Sequence, residues 1–104
     1  MTHAAIADVA EVVTIQAGAT VSKVIHRDEA LDVTVFAFDR GEGLTEHTAS
    51  RRAIVQVLAG RLAFTVDGEE VDAGPGSWIH LDEGAPHSLV ALEPTTMLLT
   101  LVRP

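Results

Sequence analysis

Five histidines stand in a chain of 104 residues that has no cysteine, and three of them are placed where chemistry could be done. His47, His80 and His87 each lie at or beside the end of an apolar, strand-like run. His3 falls in the terminal segment, and His26 beside Arg27 and Asp28 reads as a solvated residue. A neutral imidazole is the commonest side-chain ligand of a transition metal, and two from separate strands can converge inside a barrel. For any one of the three taken alone, a hydrogen-bonded or partly exposed strand histidine is the simpler reading. The absence of cysteine removes thiolate nucleophiles, disulfides and thiolate-held zinc or iron–sulfur clusters. Any metal must therefore rest on nitrogen and oxygen.

Gln56 is a candidate of a different kind. In AIVQVL an amide with four hydrogen-bonding positions stands among apolar neighbours, and burying it without partners is costly. Either it turns inward as a donor to a ligand or metal, or it pairs with backbone on a solvated or dimer face. Strict alternation puts it opposite Ala53, so the inward placement needs a bulge or a twist. His80 shares one face of WIHLD with Trp78 and Asp82. Turned inward, the three would bring an aromatic wall, a general base and an acid to a site; turned outward, the preferred reading, they make an amphipathic surface strand. Glu46 points away from the face of His47, and Asp82 and Glu83 read as solvated turn carboxylates. Ser50 and Ser88 lie in no nucleophile elbow, and the glycines of AGPGSW have neither the helix start nor the lysine of a phosphate loop.

The elements that must position these residues are short and extended. Turn-forming residues recur every few positions, from Ala17-Gly18 and Asp39 to Gly43 through Gly60, Asp67-Gly68, Gly74-Pro75-Gly76 and Gly84-Ala85-Pro86 to Glu93-Pro94. Runs rich in Val, Ile, Leu, Thr and Phe lie between them, the pattern of an all-β sandwich or barrel. Strands are expected near 12–16, 19–26, 31–38, 45–49, 53–59, 61–67, 69–73, 77–82, 87–93 and 96–102, with a short helix over Ala4 to Ala10. In LDVTVFAF, Val33, Val35 and Ala37 face one way and Thr34, Phe36 and Phe38 the other, while Leu62, Phe64 and Val66 share a face. Asp67-Gly68 between alternating runs predicts a two-residue hairpin, because a type I′ turn needs positive φ at both central positions.

Length fits a single domain over 1–104, and 47% hydrophobic with 21% charged residues excludes disorder and fibrous repeats. Fifteen acidic residues against seven basic ones give a formal charge of -8, which repels a phosphate backbone, so nucleic acid is not expected as a partner. The adjacent Arg51-Arg52 reads as a solvated loop charge, with a small anion as its alternative contact. No apolar run exceeds four residues, so neither a membrane span nor a signal-peptide core is expected, and a cytoplasmic protein is the default.

Two spaced segments tie the histidines together. Gly41-Glu-Gly-Leu-Thr-Glu-His47 with Gly60, then Gly76, Gly84 and His87 in GSWIHLDEGAPH, resemble in order the two signature motifs of the cupin superfamily, G(x)5HxH(x)3,4E(x)6G and G(x)5PxG(x)2H(x)3N. The motifs fall at about 41–60 and 76–91, and the resemblance extends over roughly 33–102. It implies a small single-domain jelly roll, a β-barrel also described as a double-stranded β-helix, that pairs as a homodimer. It also implies a metal site in which His47 and His87 carry over directly. The departures are equally definite. Ala49 and Ala53 stand where the family usually has its second histidine and its glutamate, and Asp82 and Ala91 replace the proline and asparagine of the second motif. A third donor is then needed, for which Gln56 and His80 are the candidates. Two functions follow as expectations. One is a binding module that holds a small molecule, or a weakly and partially bound divalent ion (Mn, Fe, Ni or Zn), through His47, Gln56 and His87. The other is a metal-dependent enzyme resembling cupin dioxygenases or isomerases.

Overall fold

Residues 2–104 are described by a computed structural model. Among them the helical content is one 3-10 turn, Val9–Glu11, capped by Asp8, whose carboxylate accepts the Ala10 N–H. The strands are β1 Thr20–Arg27, β2 Leu31–Phe38, β3 Gly43–Thr48, β4 Ala53–Val66, β5 Glu69–Ala73, β6 Trp78–Leu81 and β7 Pro86–Val102. All pairings are antiparallel, in the path β1-β2-β7-β4-β5, with β3 added to β7 and β6 to β4.

Two long strands organise this barrel. The first half of β4 pairs with β6 and with the last half of β7, which also carries β2. The second half of β4 pairs with β5 and with the first half of β7, which carries β3. The result is the expected jelly roll, two half-sheets that share β4 and β7. Both strands bend where the β4–β7 register shifts, between Val57 and Leu62. Pro94 stands in that gap without a ladder partner, a place where its missing N–H costs nothing. Gly60 faces it at φ +88°, and a Cβ there would collide with the Pro94 carbonyl oxygen and the Thr95 hydroxyl. Thr95 is fully buried; its hydroxyl donates to the Glu93 carbonyl at 2.7 Å and accepts the Arg61 N–H at 3.0 Å.

Bending returns the far ends of both strands to one opening. Ala53 lies opposite Leu101 and Val66 opposite His87. The segment 49–52 closes the circuit, since the Gly84 N–H donates to the Ala49 carbonyl and the Val102 N–H to the Arg52 carbonyl, both at 2.9 Å. The interior between corner and mouth is filled by Phe38, Val55, Val57, Leu62, Phe64, Leu81 and Met97, each at most 2% exposed. Burying each contributes on the order of 1.5–3 kcal/mol.

Several sequence expectations change here. Segments 53–59 and 61–67 form one strand, as do 87–93 and 96–102, because the bulged corner keeps the ladder going past Gly60 and Pro94. Residues 12–16 join no ladder; Val12, Val13 and Ile15 are half-buried without a strand partner, since β propensity reflects packing more than backbone preference. The helix expected over Ala4 to Ala10 is replaced by the 3-10 turn at Val9–Glu11. The Asp67-Gly68 hairpin forms as expected, with φ of +51° and +76° and Val66 opposite Glu69.

Candidate functional site

The pairing of β3 with β7 sets His47 directly opposite His87 at the mouth, after a register shift between Leu44 and His47. Their ring centroids are 4.2 Å apart and the planes are tilted by 59°. His87 is 8% exposed and lies parallel to the Phe64 ring at 6.1 Å, while His47 is open to solvent. Each imidazole is held by the backbone two residues before it: His47 Nδ1 is 2.8 Å from the Thr45 carbonyl and His87 Nδ1 is 2.9 Å from the Ala85 carbonyl. A carbonyl oxygen only accepts, so Nδ1 carries the hydrogen in both rings and the neutral lone pair is at Nε2. That second-sphere arrangement fixes tautomer and ring orientation in metal-binding histidines.

The rest of a retained metal centre is not assembled around this pair. Ala53 is 1% exposed between Leu81 and Leu101, presenting a methyl group where a carboxylate would be needed. No group of three or more His, Asp or Glu side chains suited to an ion occurs among the described residues. Metal sites that keep their ion use at least three protein donors as a rule, so these residues fit a two-imidazole contact and not a firmly held ion.

Neither expected third donor joins the pair. Gln56 alternates with the buried Ala53, Val55 and Val57, and its ladder partners are Trp78 and Leu98, so it lies half-buried on the outer face of the half-sheet. The register shifts that could have turned it inward begin only after Val57. His80 sits on that same outer face, opposite Ile54 and stacked on Trp78 at 6.2 Å, and Trp78 is 59% exposed. Its nearest acid, Asp82, is 3.8 Å away and 89% exposed, a weak solvent-screened contact. Alternation along β4 and β6 thus corrects the inward alternative for Gln56, keeps His80 on the outer face that was its preferred reading, and removes both as third donors.

The mouth holds a polar cluster that sequence reading did not assemble. Asp32 is directly opposite Leu101 and shares its inward face, with only 7% exposure. It accepts from Arg27 Nε at 3.2 Å, Arg51 Nη1 at 2.9 Å and Arg103 Nη2 at 2.8 Å. The Arg51 hydrogen bond, working against desolvation and aided by Arg103, holds the Asp32 carboxyl below the usual aspartate range. The lone signal was the Arg51-Arg52 pair; Asp32 and Arg103 are 71 positions apart.

Comparison with known proteins agrees with this geometry. A family model described as "Cupin domain" matches residues 34–103. A conserved protein of unknown function from Streptococcus pyogenes superposes with a TM-score of 0.88 at 32% identity, covering 100% of this chain and 91% of that one. A cupin 2 conserved barrel domain protein from Leptotrichia buccalis is 36% identical with a TM-score of 0.83, covering 90% of this chain and 46% of that one. KdgF from Halomonas sp. shares the fold at 24% identity and a TM-score of 0.78, covering 88% and 86%. No curated protein matches the sequence. A jelly roll bent at Gly60, with one histidine from each motif facing across β3 and β7, and a family match over most of the chain together establish that this chain belongs to the cupin superfamily.

Proposed function

We propose that the protein is a binding barrel that takes a small molecule at its mouth through the Nε2 atoms of His47 and His87. The observation that carries this reading is the facing pair itself. Both rings have Nδ1 committed to the backbone, both keep Nε2 free, and among the described residues no group of three or more His, Asp or Glu side chains includes them. Exposure of His47 leaves access for a ligand, while Phe64 and Leu89 behind His87 supply an apolar floor. A divalent ion such as Mn, Fe, Ni or Zn would rest on the same two atoms, with its remaining positions filled by ligand or water, and would be held weakly.

The enzyme reading, a cupin of the dioxygenase or isomerase type, is favoured by one feature, the two lone pairs fixed at Nε2 by the Nδ1 hydrogen bonds, an arrangement suited to metal ligation. Elemental analysis of tag-free protein separates the two. Binding without retained metal predicts substoichiometric Mn, Fe, Ni and Zn after dialysis. Near-stoichiometric metal, lost in both His47→Ala and His87→Ala, would establish the enzyme-type site instead. The outer face bearing Gln56, Trp78 and His80 suits pairing with a second copy, since Trp78 is 59% exposed there. Light scattering on Trp78→Ser tests this: a wild-type dimer that becomes monomeric supports it, and a wild-type monomer refutes it.

A further inference from the structure

The arginines gathered on Asp32 exceed what that carboxylate needs. Only seven basic residues occur in a chain of formal charge -8, and three of them meet at one buried acid. A guanidinium offers five N–H donors in a rigid fork, and Asp32 engages a single nitrogen of each. Arg103 Nε is moreover buried and without any acceptor, an N–H removed from water with no replacement for the bond it lost. Arg27, Arg51, Arg103, Asp32, Glu29 and Pro104 line an open concavity of about 580 Å³, within the size range of small-molecule sites. Glu29 on its rim is exposed, so the three cations outnumber the acidic side chains facing the space.

We infer that this concavity is an oxyanion site, recognising a carboxylate or phosphate group on a small molecule. Asp32 is the post on which the forks are mounted, and Arg27, Arg51 and Arg103 are the donors. Asp32 and Glu29 offset two of the three arginines, and the remaining positive charge, with the unused N–H donors of all three forks, suits an anion. Forked guanidinium groups match planar carboxylate and phosphate edges better than any other side chain. Two of the donors are already ordered: Arg51 and Arg103 have side chains 25% and 37% exposed, and Arg103 is fixed by its N–H bond to the Ala30 carbonyl. Arg27, at 63%, remains free to swing onto a ligand. The site does not depend on the histidine reading, although segment 49–52 joins the two across the mouth.

The test is a titration of 15N-labelled full chain, followed by amide shifts, with inorganic phosphate in one arm and succinate in another, against chloride at matched ionic strength. Saturable shifts confined to residues 27–32, 51–52 and 102–103 are expected in at least one arm, and the arm that saturates identifies the oxyanion. Arg27→Gln, whose exposed side chain makes the longest of the three bonds, should weaken binding about 5–10-fold with an unchanged thermal midpoint. Arg103→Lys keeps the charge but loses the fork and should weaken it too. Absence of saturable shifts in both arms with folded protein overturns the proposal, as does an affinity that neither variant changes.

Discussion

At the corner where β4 and β7 bend, the buried Thr95 hydroxyl has both roles filled, donating to Glu93 and accepting from Arg61, and Gly60 leaves no room even for a methyl group. At the mouth of the same two strands, no hydrogen bond among the described residues engages Nε2 of His47 or His87, and the buried Nε of Arg103 has no partner. One end is closed sterically and satisfied chemically; the other holds donors and lone pairs in reserve. A buried N–H without a partner, like that of Arg103, is rare in folded proteins and marks a place to look for an external partner. Stability should therefore concentrate at the corner and binding at the mouth.

Breaking the corner gives the largest effect. Gly60→Ala forces a Cβ into Pro94 and Thr95 at a φ of +88°, and denaturant unfolding should show a loss of about 3 kcal/mol or more. Thr95→Val keeps the shape but strands the Arg61 N–H, and the same measurement should show about 1–3 kcal/mol. Equal stability of either variant and wild type would remove the distinction between the two ends.

Acid gives a subtler contrast. Asp32 is held below its usual range first by Arg51, and Asp28, through its bond to His26, is lowered to about 2. A carboxylate depressed in the folded state contributes fully above its unfolded value near 3.9, and that contribution is lost as pH falls through the lower folded value. Asp39, which accepts the Gly18 and Arg40 N–H groups, is lowered as well. Thermal midpoints should thus decline below about pH 4, and Asp32→Asn should decline less steeply over that window because one of the three groups is gone. A parallel decline in the variant would show that Asp32 is not the responsive group. The smallest effect is His47→Ala, a solvent-exposed change at the mouth that should alter stability by no more than about 0.5 kcal/mol while weakening Ni or Zn binding in calorimetry.

How much of this was legible in the sequence depends on the range of the interaction. The Asp67-Gly68 turn and the alternation in LDVTVFAF are decided by neighbours, and both stand as read. Alternation also held the answer for Gln56, which faces away from Ala53 because no bulge intervenes between them. The motif glycine at 60 looked like a turn between strands, but its role is set by Pro94 across the corner, which converts a break into a bend. Residues 12–16 carry the composition of a strand, but they find no ladder to join. The Asp32 cluster showed in the sequence only through the Arg51-Arg52 pair, because its members come from β1, β2, the β3–β4 connection and the residue after β7.

The placement of β7 also orders events in time. β2, β3 and β4 all pair with this 17-residue strand, the last of the seven to be synthesised. During synthesis the β1–β2 and β4–β5 hairpins can form as they emerge, but each must wait with an open edge until residues 86–102 leave the ribosome. Folding of this barrel is therefore a late, single closure, and a chain stalled before Pro86 would present several unpaired strands at once, the condition under which β-proteins aggregate.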